Sequence, residues 1–208
     1  MHRVTRYLAT RRLICLCSLL LFTMVYMSSC KSKRQYSQWG NASFDPTIEK
    51  NTVYKQLDEE SEVFSVFEDE DTSTKRSSGV AYFAKGQVNL SDSNSAKLNN
   101  CRAYFFHGDT LSINIGIGSG FGGWGFIINY KDKTFYTEPY YFTDVIIPGK
   151  PDPVYELVYQ KLTLNKPVYK SGDSLFGKID FKSIEIDRDK GNISHTGQGF
   201  FRTKVKEL

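Results

Sequence analysis

Past position 30, Cys101, His107 and His195 are the residues that could supply a thiol nucleophile and an imidazole base. That chemistry needs sulfur and ring nitrogen within hydrogen-bond reach, with a third group orienting the base. Cys101 and His107 stand six residues apart on what reads as one extended strand. At the rise of a strand their backbones are roughly 20 Å apart, so these two cannot meet. His195 could approach either one only through the fold, and a lone Cys is by default a buried structural thiol. Two histidines and one thiol also fall short of a zinc site of ordinary ligand content.

Other chemistry-bearing patterns are equally thin. Gly118, Gly120 and Gly123 satisfy G-x-G-x-x-G. A dinucleotide site needs those glycines to open a helix, whereas Phe126-Ile127-Ile128-Asn129-Tyr130 follows here and reads as a strand. No Lys-Ser or Lys-Thr pair follows for a P-loop. Asp187 to Asn192 has the look of a calcium loop, but Arg188 and Lys190 bring positive charge into it. Gln198 stands where the twelfth-position carboxylate belongs, so the stretch reads as a hairpin turn. Glu138, Asp144, Glu156 and Asp180 could form a glycosidase pair only if the fold set two of them about 5 to 9 Å apart across a cleft. Read alone they are surface charges. The expectation is a protein that is not an enzyme, with no catalytic residue, no metal and no cofactor.

Aromatic density is the strongest functional signal. Phe121, Trp124, Phe126, Tyr130, Phe135, Tyr136, Tyr140, Tyr141 and Phe142 put nine rings within 22 residues. From Phe135 to Phe142 both strand parities carry rings, although one face of a single sheet suffices to build a core. Either two layers sandwich this strand, or some rings face solvent as a stacking platform for sugars or peptides. Trp124, Tyr136, Tyr140 and Tyr141 are the candidate ligand contacts, with Trp124 expected to be exposed near the tip of a glycine loop.

The elements that position these rings are strands. Leu111, Ile113, Ile115 and Ile117 alternate with Ser112, Asn114 and Gly116, the period of a strand with one buried face. Phe126 to Tyr130 restarts a strand, so the glycines between 116 and 125 are expected to form a wide hairpin connection. Further strands are read at Val80–Val88, Cys101–Phe106, Phe135–Phe142, Tyr155–Leu164, Leu175–Ile186 and from Asn192 to Val205. Pro139 confines its strand to an edge or a bulge because it cannot donate to a ladder. A parity switch between Phe181 and Ile184 predicts a bulge near Ser183. Strands at roughly ten-residue spacing with polar turns predict an all-β antiparallel sandwich or barrel over 79–208.

The chain ahead of that domain reads differently. Arg3, Arg6, Arg11 and Arg12 precede an apolar run of 15 residues, Leu13 to Met27, and the small pair Ser28-Ser29. Such a run is short of the roughly 20 residues a spanning helix needs, so 1–29 is expected to be a cleaved signal peptide. Met27-Ser28-Ser29-Cys30 resembles the lipobox of bacterial lipoproteins, with Met27 where Leu is usual. The resemblance implies lipidation of Cys30 and anchoring to a membrane. A likeness to small lipoproteins of Bacteroidota-type bacteria implies a cell-envelope location at the outer membrane, facing the periplasm because Lys31-Ser32-Lys33-Arg34 stands where surface-exported members carry acidic residues. The alternative is the cell surface. The whole chain carries +4; without the four arginines of the leader it is neutral, which removes any case for nucleic acid. Residues 30–78, rich in acid between Asp58 and Asp71, read as a flexible linker. The function expected is a membrane-anchored, non-enzymatic envelope module that binds or positions a protein or envelope component. The runner-up is a surface glycan-binding or adhesive module, and an envelope hydrolase comes third.

Overall fold

In the computed structural model, which describes residues 38–63, 74–85, 95–106, 108–119, 121–145, 153–187 and 191–207, the alternating segment around Ile113 is strand β5 (Thr110–Ser119). Leu111, Ile113 and Ile115 are buried, as period two requires. Strand β6 (Gly122–Lys131) pairs back on β5 from Leu111↔Tyr130 to Ser119↔Gly122. The expected wide glycine connection is therefore corrected. The glycines lie inside the two strands, opposite one another as Gly116↔Gly125 and Gly118↔Gly123. Asp132 and Lys133, both with positive φ (49° and 67°), make the tight turn into β7 (Thr134–Thr143), the backbone geometry that suits a two-residue hairpin. Pro139 sits opposite Phe126. Among the described residues the other side of β7 is paired to a strand at Thr134 and Phe135, by β1 (Gly40–Asn41), and no further, so Pro139 occupies the edge position its missing N–H demands.

The remaining strands are β2 (Ser43–Phe44), β3 (Ala81–Lys85), β4 (Asn100–Phe106), β8 (Val154–Leu164), β9 (Ser174–Asp187) and β10 (Gly191–Lys206). They form one ten-stranded sheet in the order β1-β7-β6-β5-β4-β10-β9-β8-β2, with β3 also pairing to β10. Among the described residues all strand pairings are antiparallel except two short ones, β2 with β8 and β4 with β10. The long β10 is the fold line. Its first half carries β3 on one edge, from Ser194↔Lys85 to Gln198↔Ala81, and its end carries β4 at Val205↔Ala103. The two halves of the sheet thereby face each other across one core, in which the Phe126 ring of β6 lies 4.7 Å from that of Phe181 on β9. The sheet is not closed. Between β7 and β8 the Gln160 side chain stands in for one rung: its Oε1 accepts from the Thr137 N–H (2.9 Å) and its Nε2 donates to the Phe135 carbonyl (3.2 Å).

Two expectations change here. The bulge predicted near Ser183 lies instead on the partner strand β8, between Leu157 and Tyr159. β9 continues in register with β10 throughout, so its inward positions simply turn polar at Ser183 and Glu185. Of the stretch 30–78 read as a flexible linker, the described residues from Trp39 onward belong to the folded unit. A short helix α1 (Val53–Asp58) buries Tyr54 and Leu57, three residues apart and so on one face. The Tyr54 hydroxyl donates to the carbonyls of Gly177 and Phe201. The acids that read as solvated chain are paired to arginines far along the sequence: Asp58 with Arg202, Glu60 with Arg76 and Glu62 with Arg102, at 2.6–2.7 Å.

The expected signal peptide, Cys30, the acidic residues Glu68 to Asp71, His107 and the turn at Arg188–Lys190 lie outside the described residues. Among the described residues no helix is long and apolar enough to cross a membrane.

Candidate functional site

The four candidate rings divide between the two faces of β6 and β7. Trp124 and Tyr141 are cross-strand partners on the same face as Phe126 and the core. Trp124 is half-buried and packs against Ala84 and Ile193, which corrects its expected exposure at a loop tip. The physical reason is register. The β5–β6 ladder runs all the way to Gly122, so Trp124 is a strand residue with inward parity and not a loop residue. Tyr141, at the end of that face, is 61% exposed.

Tyr136 and Tyr140 have the opposite parity and lie on the outer face with Phe142. The cross-strand glycine pairs explain how they lie there. A Cβ on Gly116 would stand 2.3 Å from the Tyr140 hydroxyl, and one on Gly123 would stand 2.5 Å from Cε1 of Phe142. The bare backbone of β5 and β6 is thus a track into which these two rings settle. Tyr140 donates to Oδ1 of Asn114 (2.9 Å) and stacks on Phe142 with centroids 6.2 Å apart. Burial pushes the Tyr140 hydroxyl up to about 12, and the Tyr136 hydroxyl to about 12 as well, Glu138 adding to the second. Trp39 leans on Tyr136 at 6.4 Å. Burial likewise raises the Glu138 carboxyl above its usual range.

Where β5, β6 and β7 end together, Phe121, Tyr141, Phe142 and Val145 are 49–62% exposed. The Asp144 N–H donates to the Phe121 carbonyl (3.0 Å) and holds this end together. Aromatic and apolar side chains grouped in this way offer flat faces for stacking on sugars or for covering by a partner.

The interior at the other side of Trp124 is polar. The Tyr82 hydroxyl lies 2.8 Å from Nδ1 of His195, and Nε2 of His195 lies 2.8 Å from Oε2 of Glu185. One tautomer satisfies all three groups: Nε2–H donates to Glu185, and the Tyr82 hydroxyl donates to Nδ1. The Tyr155 ring meets the imidazole edge-on at 5.7 Å. This relay ties β3, β9 and β10 together. Both ring nitrogens of His195 are occupied within it, so His195 does not serve Cys101. The Cys101 thiol is fully buried and its pKa is pushed up by that burial. The hydroxyls of Thr137 and Ser183 are buried without a hydrogen-bond partner. Of the carboxylates weighed for hydrolysis, Glu138 lies on the outer face of β7, while Asp180 on β9 accepts from the Tyr159 hydroxyl at 3.1 Å. Among the described residues no cluster of three His, Cys, Asp or Glu side chains could hold a metal ion.

Burial lowers the pKa of His195, against an opposing pull from Glu185. The unfolded chain then binds the imidazole proton more readily than the native one. Stability from this site is present above about pH 6.5 and is lost as the pH falls through the lowered native value. Urea midpoints measured from pH 7.5 down to 5 are expected to fall for the native sequence. In His195→Gln, whose amide can accept from Tyr82 and donate to Glu185, that part of the slope should vanish; an unchanged slope would refute the assignment.

Sequence reasoning missed the Tyr82–His195–Glu185 relay, and its only sequence trace is the shared parity of His195 and Ile193 on β10. Set beside known proteins, the chain matches no family model, no curated protein and no solved structure.

Proposed function

We propose that this chain is a membrane-anchored, non-enzymatic cell-envelope lipoprotein whose β domain binds an envelope component or partner protein. The observation that carries the reading is the group of exposed apolar side chains, Phe121, Tyr141, Phe142 and Val145, at one end of β5–β7. The lipobox-like Met27-Ser28-Ser29-Cys30 supplies the anchor. With the anchor at Cys30 the domain is tethered at a membrane, facing the periplasm, and presents this end to a partner.

A photo-crosslinking residue placed at Val145 is expected to capture a reproducible envelope partner in intact cells. Tyr141→Ala with Phe142→Ala should reduce that capture severalfold. Capture that is unchanged in the double variant would remove this end from the interface. Cys30→Ser should move the protein from the membrane to the soluble fraction, and continued membrane retention would sink the anchor.

A second reading, glycan binding at the cell surface, is favoured by the stacked Tyr140–Phe142 pair beside the polar groups of Asn114 and Glu138. Here the expected result is retention on immobilised envelope glycans that falls when Tyr140 and Tyr141 are replaced by Ala. Equal retention in that variant disposes of it.

A further inference from the structure

We infer that the groove between the end of β10 and the residues Glu62, Lys75 and Ser77 is a binding site for a ligand carrying closely spaced phosphate groups. The groove, of about 570 Å³, is lined by Lys75, Arg102, Arg202, Lys204 and Lys206, with Glu62 the one carboxylate of its lining. It lies on a different part of the sheet from the aromatic end and does not depend on the reading given for that end.

The arginines have structural work. Arg102 grips Glu62 with both terminal nitrogens at 2.6 Å. Arg202 reaches Asp58 at 2.7 Å and donates to the Arg76 carbonyl. The lysines do not. Among the described residues no carboxylate lies within ion-pair distance of Lys75, Lys204 or Lys206. Three exposed lysines with no counter-charge among the described residues thus converge on one groove, beside two arginines whose charge is already matched. Lys204 and Lys206 project from the same face of β10, about 7 Å apart at the strand repeat. Like charges held at that spacing repel one another, and a multivalent anion relieves the repulsion.

The rest of the lining selects among anions. Ser174 and Thr203 add hydroxyl donors, and Phe176 is the one large apolar side chain there. An acidic peptide would need apolar pockets for its anchors or a free strand edge to extend. Neither is offered, because this end of β10 is already paired on both sides, with β9 at Lys204↔Ser174 and with β4 at Lys206↔Tyr104. Lysine ammonium groups and hydroxyls around an open polar groove suit phosphate oxygens, which accept from several donors at once.

The test is calorimetric titration of the purified protein with inorganic pyrophosphate and, separately, with bis(glycerophospho)glycerol, the water-soluble headgroup of a lipid that carries two phosphates. Binding of at least one of them is expected, weakened about tenfold or more in K75E/K204E/K206E, with unfolding midpoints compared to show that the variant is folded. The charge-neutralising K75Q/K204Q/K206Q should lose binding in the same direction. Charge reversal on other exposed lysines, K161E/K178E, should leave it within about twofold. Tighter pyrophosphate binding identifies a free or terminal phosphate as the source, and tighter bis(glycerophospho)glycerol binding identifies a lipid headgroup. No binding of either probe overturns the inference. So does an equal loss in K161E/K178E, which would mean unspecific charge attraction, or tighter binding of a hexaglutamate peptide than of either phosphate probe.

Discussion

Replacing Phe126 by Ala is expected to cost about 3–5 kcal/mol of folding free energy, the usual range for emptying a large aromatic site in a core. Phe126 has no exposed surface. Its ring is 4.7 Å from Phe181 of β9 and 5.4 Å from Tyr82 of β3, so it is the point where the two halves of the folded sheet touch. The alanine would leave a void between layers that the backbone cannot collapse, because β6 is held on both edges by the ladders to β5 and β7. A domain of this size has a total stability of about 5–15 kcal/mol, so the loss is a large share of it. Urea unfolding followed by tyrosine and tryptophan fluorescence would measure it. A cost under about 1 kcal/mol would mean that the layers do not share this contact. Phe126→Leu, which keeps most of the volume, should fall well short of the alanine cost.

Gly116→Ala is the second large effect, from the addition of a single methyl group. The new Cβ would lie 2.3 Å from the Tyr140 hydroxyl and 2.5 Å from the Trp124 carbonyl oxygen. Tyr140 can swing away, at the loss of its hydrogen bond to Asn114. The carbonyl cannot, since Trp124 sits in the β5–β6 ladder opposite Ile117. Overpacking against a fixed backbone costs about 1–3 kcal/mol, and the upper end is expected here because ring and backbone are both displaced. The same substitution made with Tyr140→Ala separates the two parts. The coupling should be favourable, about 1 kcal/mol, because the side-chain clash is gone, while a residual cost from the carbonyl remains. Additive effects in this cycle would show that the ring does not lie in the glycine track. Any binding function of the outer face would fall together with the ring in Gly116→Ala, and it should do so at temperatures where the protein is still folded.

These two sites also mark how far the sequence could be read. At Phe126 the reading reached the strand, since an apolar run restarts there, but not which layer its ring would meet. At Gly116 it reached only a composition. Glycines crowded between 116 and 125 look like a loop when no partner strand is known, and the register that sets Gly116 against Gly125 and Tyr140 over both is a relation among three strands. Trp124 was misplaced for the same reason. A one-residue slip between β5 and β6 would turn it outward, and the register is set by a ladder of nine pairs, from Leu111↔Tyr130 to Ser119↔Gly122. The groove at the end of β10 was hidden more deeply, because Lys75 and Lys204 are brought to one lining by folding across 129 residues of chain.

The sequence by itself determined what depends on neighbours one to four residues away. That includes the period-two strands, the edge or bulge that Pro139 requires of its strand and the all-β class that the repetition of strands implies. Only the tertiary structure decided what depends on which distant groups meet. It made the acids at 58, 60 and 62 into the partners of Arg202, Arg76 and Arg102, joined Tyr82, His195 and Glu185 into one relay, and divided the rings of β7 between core and surface. Alternation fixes that a residue shares a face with the one two positions on. Which face is covered, and by what, is fixed only when the sheet folds over along β10.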